Sequence, residues 1–250
     1  MADTLKNTIE FKVWGNQALF TDPITKIGGE KCSYQIPTYE AIKGITKSIY
    51  WKPTFLWIVD EVKVIKKIEM ETKGIRPINY NGGNDLAIYA YLKDVEYYVR
   101  VHFEWNEFRQ DLKHDRNDGK HYEIAKRCVE KGGRQDIFLG TRECQGYVAP
   151  CAFDEGKSEY ENVEELPFGM MFHSFGYPNE FSESEHVNKT ALSARLWNAK
   201  MERGIIKFPK PKDCKYLREV KPAEYSITSK KIKNVDEEYK EIFDNTEVKI

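Results

Sequence analysis

Residues Val95–Trp105 alternate without a break. Val95, Tyr97, Val99, Val101, Phe103 and Trp105 share one side, and Glu96, Tyr98, Arg100, His102 and Glu104 the other. Period two over this length specifies a strand with one apolar face, and that face must be covered by another layer. His102 then reads as a surface strand residue. Upstream, Ile9, Phe11 and Val13 alternate in the same way and predict a first strand. After a loop over residues 21–37, Thr38 suits the N-cap of a helix that presents Ile42, Ile45 and Ile49 on one face. Pro53 disfavours helical geometry at Lys52, so the helix ends near Tyr50-Trp51. Thr54–Val59 and Val62–Met70 read as two further strands. GIRPINYNGGND, within 73–86, reads as a loop.

A second helix is expected over about Lys120–Glu130, with Asp118 as a possible cap, Tyr122, Ala125 and Val129 as its buried stripe, and Gly132-Gly133 at its end. A strand at Ile137–Leu139 follows. The order strand, helix, strand, strand, helix, strand predicts an α+β fold, with a ferredoxin-like (RRM-like, split βαβ) domain over residues 1–145. RNA-recognition modules share that order and bind bases on the open sheet face. Gly146–Phe153, Gly169–Tyr177, Ala194–Met201 and Ile205–Phe208 read as short strands, with a hairpin turn at Arg203-Gly204. They predict a small antiparallel β-sheet domain over 146–221. Residues 222–250 read as a polar tail with one short helix near Val235–Phe243.

Net charge is −1, which argues against a uniformly basic nucleic-acid binder, but the charge is unevenly placed. Residues 151–190 hold two basic and nine acidic groups, and residues 191–221 nine basic and three acidic. The basic segment suits a phosphate backbone, duplex DNA included, and equally a solvated face. Aromatic residues make up 13% of the chain, and most alternate within strand-like runs, which assigns them to a β-rich core before base stacking. The five cysteines are odd in number and form no CxxC, and no signal peptide opens the chain, so a reduced, cytoplasmic protein is expected. The five histidines are dispersed, so neither a metal nor a cofactor is expected. No apolar run approaches the ~20 residues of a membrane span, so no membrane partner is expected. No GxxxxGK[ST] supports nucleotide hydrolysis.

The segment Asp115–Tyr122, DRNDGKHY, sets Lys120 beside His121 at a helix start. A cation, an imidazole and free helix N–H groups suit a phosphate that is held and cut. RNA cleavage without metal needs a group to deprotonate the 2′-OH, a charge to balance the phosphoryl oxygens, and a proton for the departing 5′-oxygen. His121 fits proton transfer, Lys120 charge stabilisation, and Tyr50, in KSIYWKPT, orientation or deprotonation of the 2′-OH. On spacing alone, Lys120-His121 equally describes an ordinary exposed first turn, and Tyr50 an aromatic plug at a helix end. His114 is a rival imidazole. His173, in GMMFHSFGY, suits a core or supporting position, and Cys144 and Cys151 suit small buried ones.

Leu19–Thr54 (LFTDPITKIGGEKCSYQIPTYEAIKGITKSIYWKPT), Lys73–Asn84, Asp115–Tyr122 and Gly132–Pro150 resemble the CRISPR-associated Cas-five proteins of the type I-C branch, and Arg195–Pro209 extends the likeness. The resemblance implies a ferredoxin-like N-terminal domain and a small β-sheet C-terminal domain. It implies a metal-independent endoribonuclease that cleaves CRISPR repeat hairpins in precursor RNA and leaves 2′,3′-cyclic phosphate and 5′-OH ends. The enzyme would remain bound to its guide RNA among the other subunits of the type I-C interference complex. The branch's tyrosine falls on Tyr50, in SIYWKP, and its lysine and histidine on Lys120 and His121, in GKHY. The rival expectation is a non-catalytic RNA-binding subunit that holds the 5′ handle of the guide RNA. Convergence of Tyr50, Lys120 and His121 on one phosphate separates the two.

Overall fold

In a computed structural model, residues 7–23, 25–78, 80–185 and 190–223 are described. The elements in chain order are β1 (Thr8–Ala18), α1 (Tyr39–Ile49), β2 (Phe55–Val64), β3 (Glu69–Ile75), β4 (Ala87–Trp105), α2 (Asp118–Glu130), β5 (Ile137–Phe138), β6 (Gln145–Pro150), β7 (Leu166–Gly176), β8 (Ala191–Met201), β9 (Ile205–Lys207) and β10 (Tyr216–Pro222). They form a mixed α/β architecture with two antiparallel sheets. The larger runs β5-β6-β1-β4-β2-β9, with β3 paired to β4, and the smaller runs β10-β8-β7. Helices α1 and α2 cover the apolar face of the larger sheet, and the smaller sheet packs on α1 through β7.

The alternation of β4 does what its period requires. Val99 and Val101 are fully buried, and Phe11 of β1 sits opposite Val99. The strand also begins earlier than the pattern suggests, at Ala87, because residues 87–93 pair with β3, and Leu92 and Lys93 pair with β1 as well. Asp94 takes a left-handed φ of 47° between the two halves, which breaks the alternation there and hides the continuity. The expected strand Val62–Met70 is corrected. Val62 and Val64 finish β2 across a bulge near Asp60, and the chain re-enters the sheet only at Glu69. Part of the expected loop 73–86 is likewise strand, since β3 runs to Ile75.

Helix α1 forms as its sequence dictates. Thr38 accepts a hydrogen bond from the Ala41 amide at 3.1 Å, and Ile42, Ile45 and Ile49 are buried. In α2 the cap is Asn117, whose side chain accepts from the Lys120 amide at 3.0 Å, rather than Asp118. The buried stripe is His121, Ala125, Cys128 and Val129, and Tyr122 is only half-buried. His121 goes inside because both of its ring nitrogens find partners there, which removes most of the cost of burying an imidazole.

Gln145–Pro150 pairs with β1 and Ile205–Lys207 with β2, so both join the larger sheet rather than the smaller one expected for them. Strand pairing is decided across the fold, and a short apolar run carries no mark of its partner. The expected open sheet face is partly covered, by residues 153–156 over Lys63, Tyr98 and Arg100. Lys63 donates to the carbonyls of Phe153 and Gly156 at 2.6 and 3.1 Å, and Arg100 lies 4.3 Å above the Phe153 ring. A Cβ on Gly156 would come within 2.4 Å of the Tyr98 ring, so only glycine lets this segment lie on the face. The expected helix Val235–Phe243 lies outside the described residues.

Candidate active site

The end of α1 and the start of α2 meet at one place. Tyr50 leaves α1 in extended geometry, φ −158° and ψ 131°, and its carbonyl accepts from the Trp57 indole at 2.7 Å. This hydrogen bond and the aromatic packing around Phe55 turn the phenol inward. His121 sits in a box of Phe55, Phe103, Trp105 and Tyr50, with ring centroids 5.2, 6.3, 5.7 and 6.1 Å away. It has no exposed surface, and Tyr50 has 1%.

The Tyr50 hydroxyl lies 2.8 Å from His121 Nδ1, and His121 Nε2 lies 2.9 Å from the Asp115 carbonyl oxygen. A carbonyl only accepts, so Nε2 carries the hydrogen. In the neutral ring Nδ1 is then the acceptor, and the Tyr50 hydroxyl donates to it. The Asp115 carboxylate gathers the rest of the site, accepting from Lys120 Nζ and from the Thr54 hydroxyl at 2.9 Å. The hydrogen bond from Lys120 is the largest of the effects that hold the Asp115 carboxyl below its usual range. Burial, and then the Asp115 charge, push the Tyr50 phenol up to about 12, while Arg134 acts in the opposite sense. A phenol so hard to ionise needs a base at its proton, and His121 holds that position.

Tyr50 also lines a surface cavity of about 570 Å³, together with Lys47, Ser48, Trp51, Arg134 and Gln135. The cavity is built where the segment after α2 docks on the end of α1. The Arg134 and Gln135 amides donate to the carbonyls of Ile49 and Ser48 at 3.3 and 3.1 Å. Gly132 and Gly133, at φ 80° and 105°, make the turn that allows this docking.

A sequence profile for the family described as CRISPR-associated protein (Cas_Cas5), the Cas5d group, matches residues 8–209. The chain belongs to this family. Among curated relatives, it is 27% identical to the CRISPR pre-crRNA endoribonuclease Cas5d of Mannheimia succiniciproducens over 82% of this chain and 96% of that protein. It is 29% identical to the CRISPR pre-crRNA endoribonuclease Cas5d of Thermus thermophilus over 57% of this chain and 63% of that protein. A solved structure of a CRISPR-associated protein is 37% identical, with a TM-score of 0.71, over 84% of this chain and 96% of that one. A functionally uncharacterized protein, SMU1763c, from Streptococcus mutans is 39% identical over the same shares, with a TM-score of 0.70.

In this Cas5d-family chain, Tyr50 and His121 are in direct contact, and Lys120 joins them through Asp115 rather than directly. Lys120 is the exposed member, with 49% of its side-chain surface open. The rival His114 is exposed on a short 3₁₀ turn, Gln110–Asp115. His173 is a core residue, hydrogen-bonded to Ser174 at 2.9 Å and to the Pro209 carbonyl at 3.1 Å. His102 pairs with Asp60 at 2.8 Å. Asp115 is a site residue that the sequence pattern does not single out. Its one signal in the sequence is its place as the first residue of the DRNDGKHY run. Among the described residues, no group of three or more His, Cys, Asp or Glu side chains is placed to hold a metal ion. No helix among them is long and apolar enough to cross a membrane.

Proposed function

We propose that this chain is a CRISPR pre-crRNA endoribonuclease that cleaves repeat hairpins in precursor RNA and stays bound as a subunit of a type I-C interference complex. The observation that carries this reading is the 2.8 Å contact between Tyr50 and His121 at the rim of a cavity, in a chain of the Cas5d family. Tyr50 takes the 2′-OH proton as its own proton passes to His121 Nδ1. The 2′-oxygen bonds to phosphorus, the bond to the 5′-oxygen breaks, and the departing oxygen takes a proton from water, whose hydroxide then removes the added proton from His121 and restores the neutral pair. The products are a 2′,3′-cyclic phosphate and a 5′-OH. Lys120, exposed at the α2 start, balances charge on the RNA backbone. Asp115 positions both Lys120 and His121. No step here requires a metal ion.

The order β6-β1-β4-β2, with α1 after β1 and α2 after β4, supports a ferredoxin-like reading of the larger sheet. We take residues 1–145 as the RNA-binding and catalytic domain and 146–221 as the β-rich second domain, with Gln145–Pro150 and Ile205–Lys207 lending strands to the first domain's sheet. The basic segment 191–221 adds non-specific affinity for nucleic acid, duplex DNA included. The cytoplasm is the compartment proposed.

The test is incubation of the full chain with its matching repeat RNA in excess chelator, followed by analysis of both product ends. Cutting with cyclic phosphate and 5′-OH ends is expected. The complete burial of His121 favours one second reading, a subunit that holds the guide RNA handle without cutting it. Tight binding with intact RNA would select that reading.

A further inference from the structure

The cavity beside Tyr50 holds two groups that the proton transfers above do not use. Trp51 leaves 47% of its surface exposed there, although a ring of this size usually finds cover. Arg134 is exposed, and its guanidinium forms no ion pair among the described residues. The other cation lining the cavity, Lys47, is engaged 2.8 Å from Glu180. Arg134 is held in place by its backbone, whose amide caps α1 at the Ile49 carbonyl. Its side chain is left over for something else.

We propose that this cavity seats the nucleotide carrying the scissile phosphate of a single-stranded RNA segment, with its base stacked on Trp51 and its phosphate paired with Arg134. The inference rests on the endoribonuclease reading of Tyr50 and His121. Stacking on an aromatic face and charge pairing at the backbone are the two contacts by which unpaired RNA is held. A guanidinium grips two phosphoryl oxygens at once, which an ammonium does not. Charge grows on those oxygens as the 2′-oxygen adds, so the arginine binds the transition state more strongly than the ground state.

The experiment uses the full chain, a repeat hairpin RNA in chelator, and an uncleavable hairpin with a 2′-deoxy residue at the cut site. Arg134→Ala is expected to slow single-turnover cleavage about 100-fold, with affinity for the uncleavable hairpin changed by less than about threefold and added guanidinium restoring part of the rate. Trp51→Ala is expected to weaken binding of the uncleavable hairpin about tenfold, and Trp51→Phe to recover most of it. Truncating Arg134 leaves its capping amide intact, so a folded variant is expected. Wild-type cleavage by Arg134→Ala, or wild-type binding by Trp51→Ala, overturns the assignment. Should the wild type leave the hairpin uncut, the nuclease reading fails instead, and the Trp51 binding comparison still decides the nucleotide seat.

Discussion

Two tyrosine–histidine pairs lie at opposite ends of α1, and only one joins a hydroxyl to a ring nitrogen. At the C-terminal end the Tyr50 hydroxyl points at a ring nitrogen of His121, 2.8 Å away. At the N-terminal end Tyr39 and His173 lie face to face, with ring centroids 4.3 Å apart and planes 22° from parallel. All four side chains are almost fully buried. The Tyr39 hydroxyl instead accepts from the Val59 amide at 3.3 Å, and the two ring nitrogens of His173 are engaged by Ser174 and the Pro209 carbonyl. Burial holds the His173 imidazole down at about 3 and raises the Tyr39 phenol well above its usual range. Tyr50 borders a cavity and has Asp115 near it. Burial is common to both pairs; a donor aimed at a lone pair beside a cavity is what sets the Tyr50 pair apart, and the proposed acid–base role rests on it.

Substituting each histidine tests this contrast most severely. His121→Ala should lower hairpin cleavage on the order of 10³-fold with binding largely kept. His173→Ala should leave cleavage within about twofold at 25 °C and destabilise the fold by roughly 2–4 kcal/mol, since it empties a site packed by Tyr39, Trp197 and Phe208. Single-turnover rates and denaturant unfolding measure the two, and equal activity losses would erase the distinction. The tyrosines give the next largest effect. Tyr50→Phe should cost about 10²-fold in rate, and Tyr39→Phe should cost only about 1 kcal/mol of stability.

Asp115→Asn keeps the backbone carbonyl that orients His121 but loses the charge that holds Lys120. A roughly tenfold slower cleavage is expected. A rate equal to wild type would leave the carbonyl as the whole of that residue's contribution.

The smallest effect is a pair of opposed stability slopes. Folded His173 refuses a proton that the unfolded chain accepts, so stability should fall as pH drops from 6.5 towards about 3 and be flat above 6.5. His102 is the reverse case. Burial lowers its pKa, but hydrogen bonds to Asp60 and Glu104 outweigh that and raise it to about 9. Its contribution should be complete below pH 6.5 and disappear as pH rises through 9. Thermal unfolding of His173→Gln and His102→Gln across pH should each flatten one window alone.

Uneven charge along the chain also acquires a structural meaning. Glu180 of the acidic stretch binds Lys43 and Lys47 at 2.5 and 2.8 Å, and Glu185 binds Arg195 of the basic segment at 2.7 Å. Burial raises the Glu180 pKa, but the two lysines outweigh it and hold the carboxyl at about 2. Part of the apparent charge imbalance is thus internal mortar between α1 and the smaller sheet, and the basic segment is less free than its composition suggests.

Elements whose information is local could be read directly. The caps and apolar stripe of α1, the alternation of Val95–Trp105 and the Gly132-Gly133 stop all depend on neighbours within a few residues. Tyr50, Lys120 and His121 were legible as chemically suited types and as a family pattern. Tertiary structure alone decided that Tyr50 and His121, 71 positions apart, share a hydrogen bond. It also decided that Asp115 links them to Lys120, and that two short strands cross into the larger sheet. Such contacts depend on how layers pack, and period, propensity and turn chemistry carry no record of which distant segment will supply the partner.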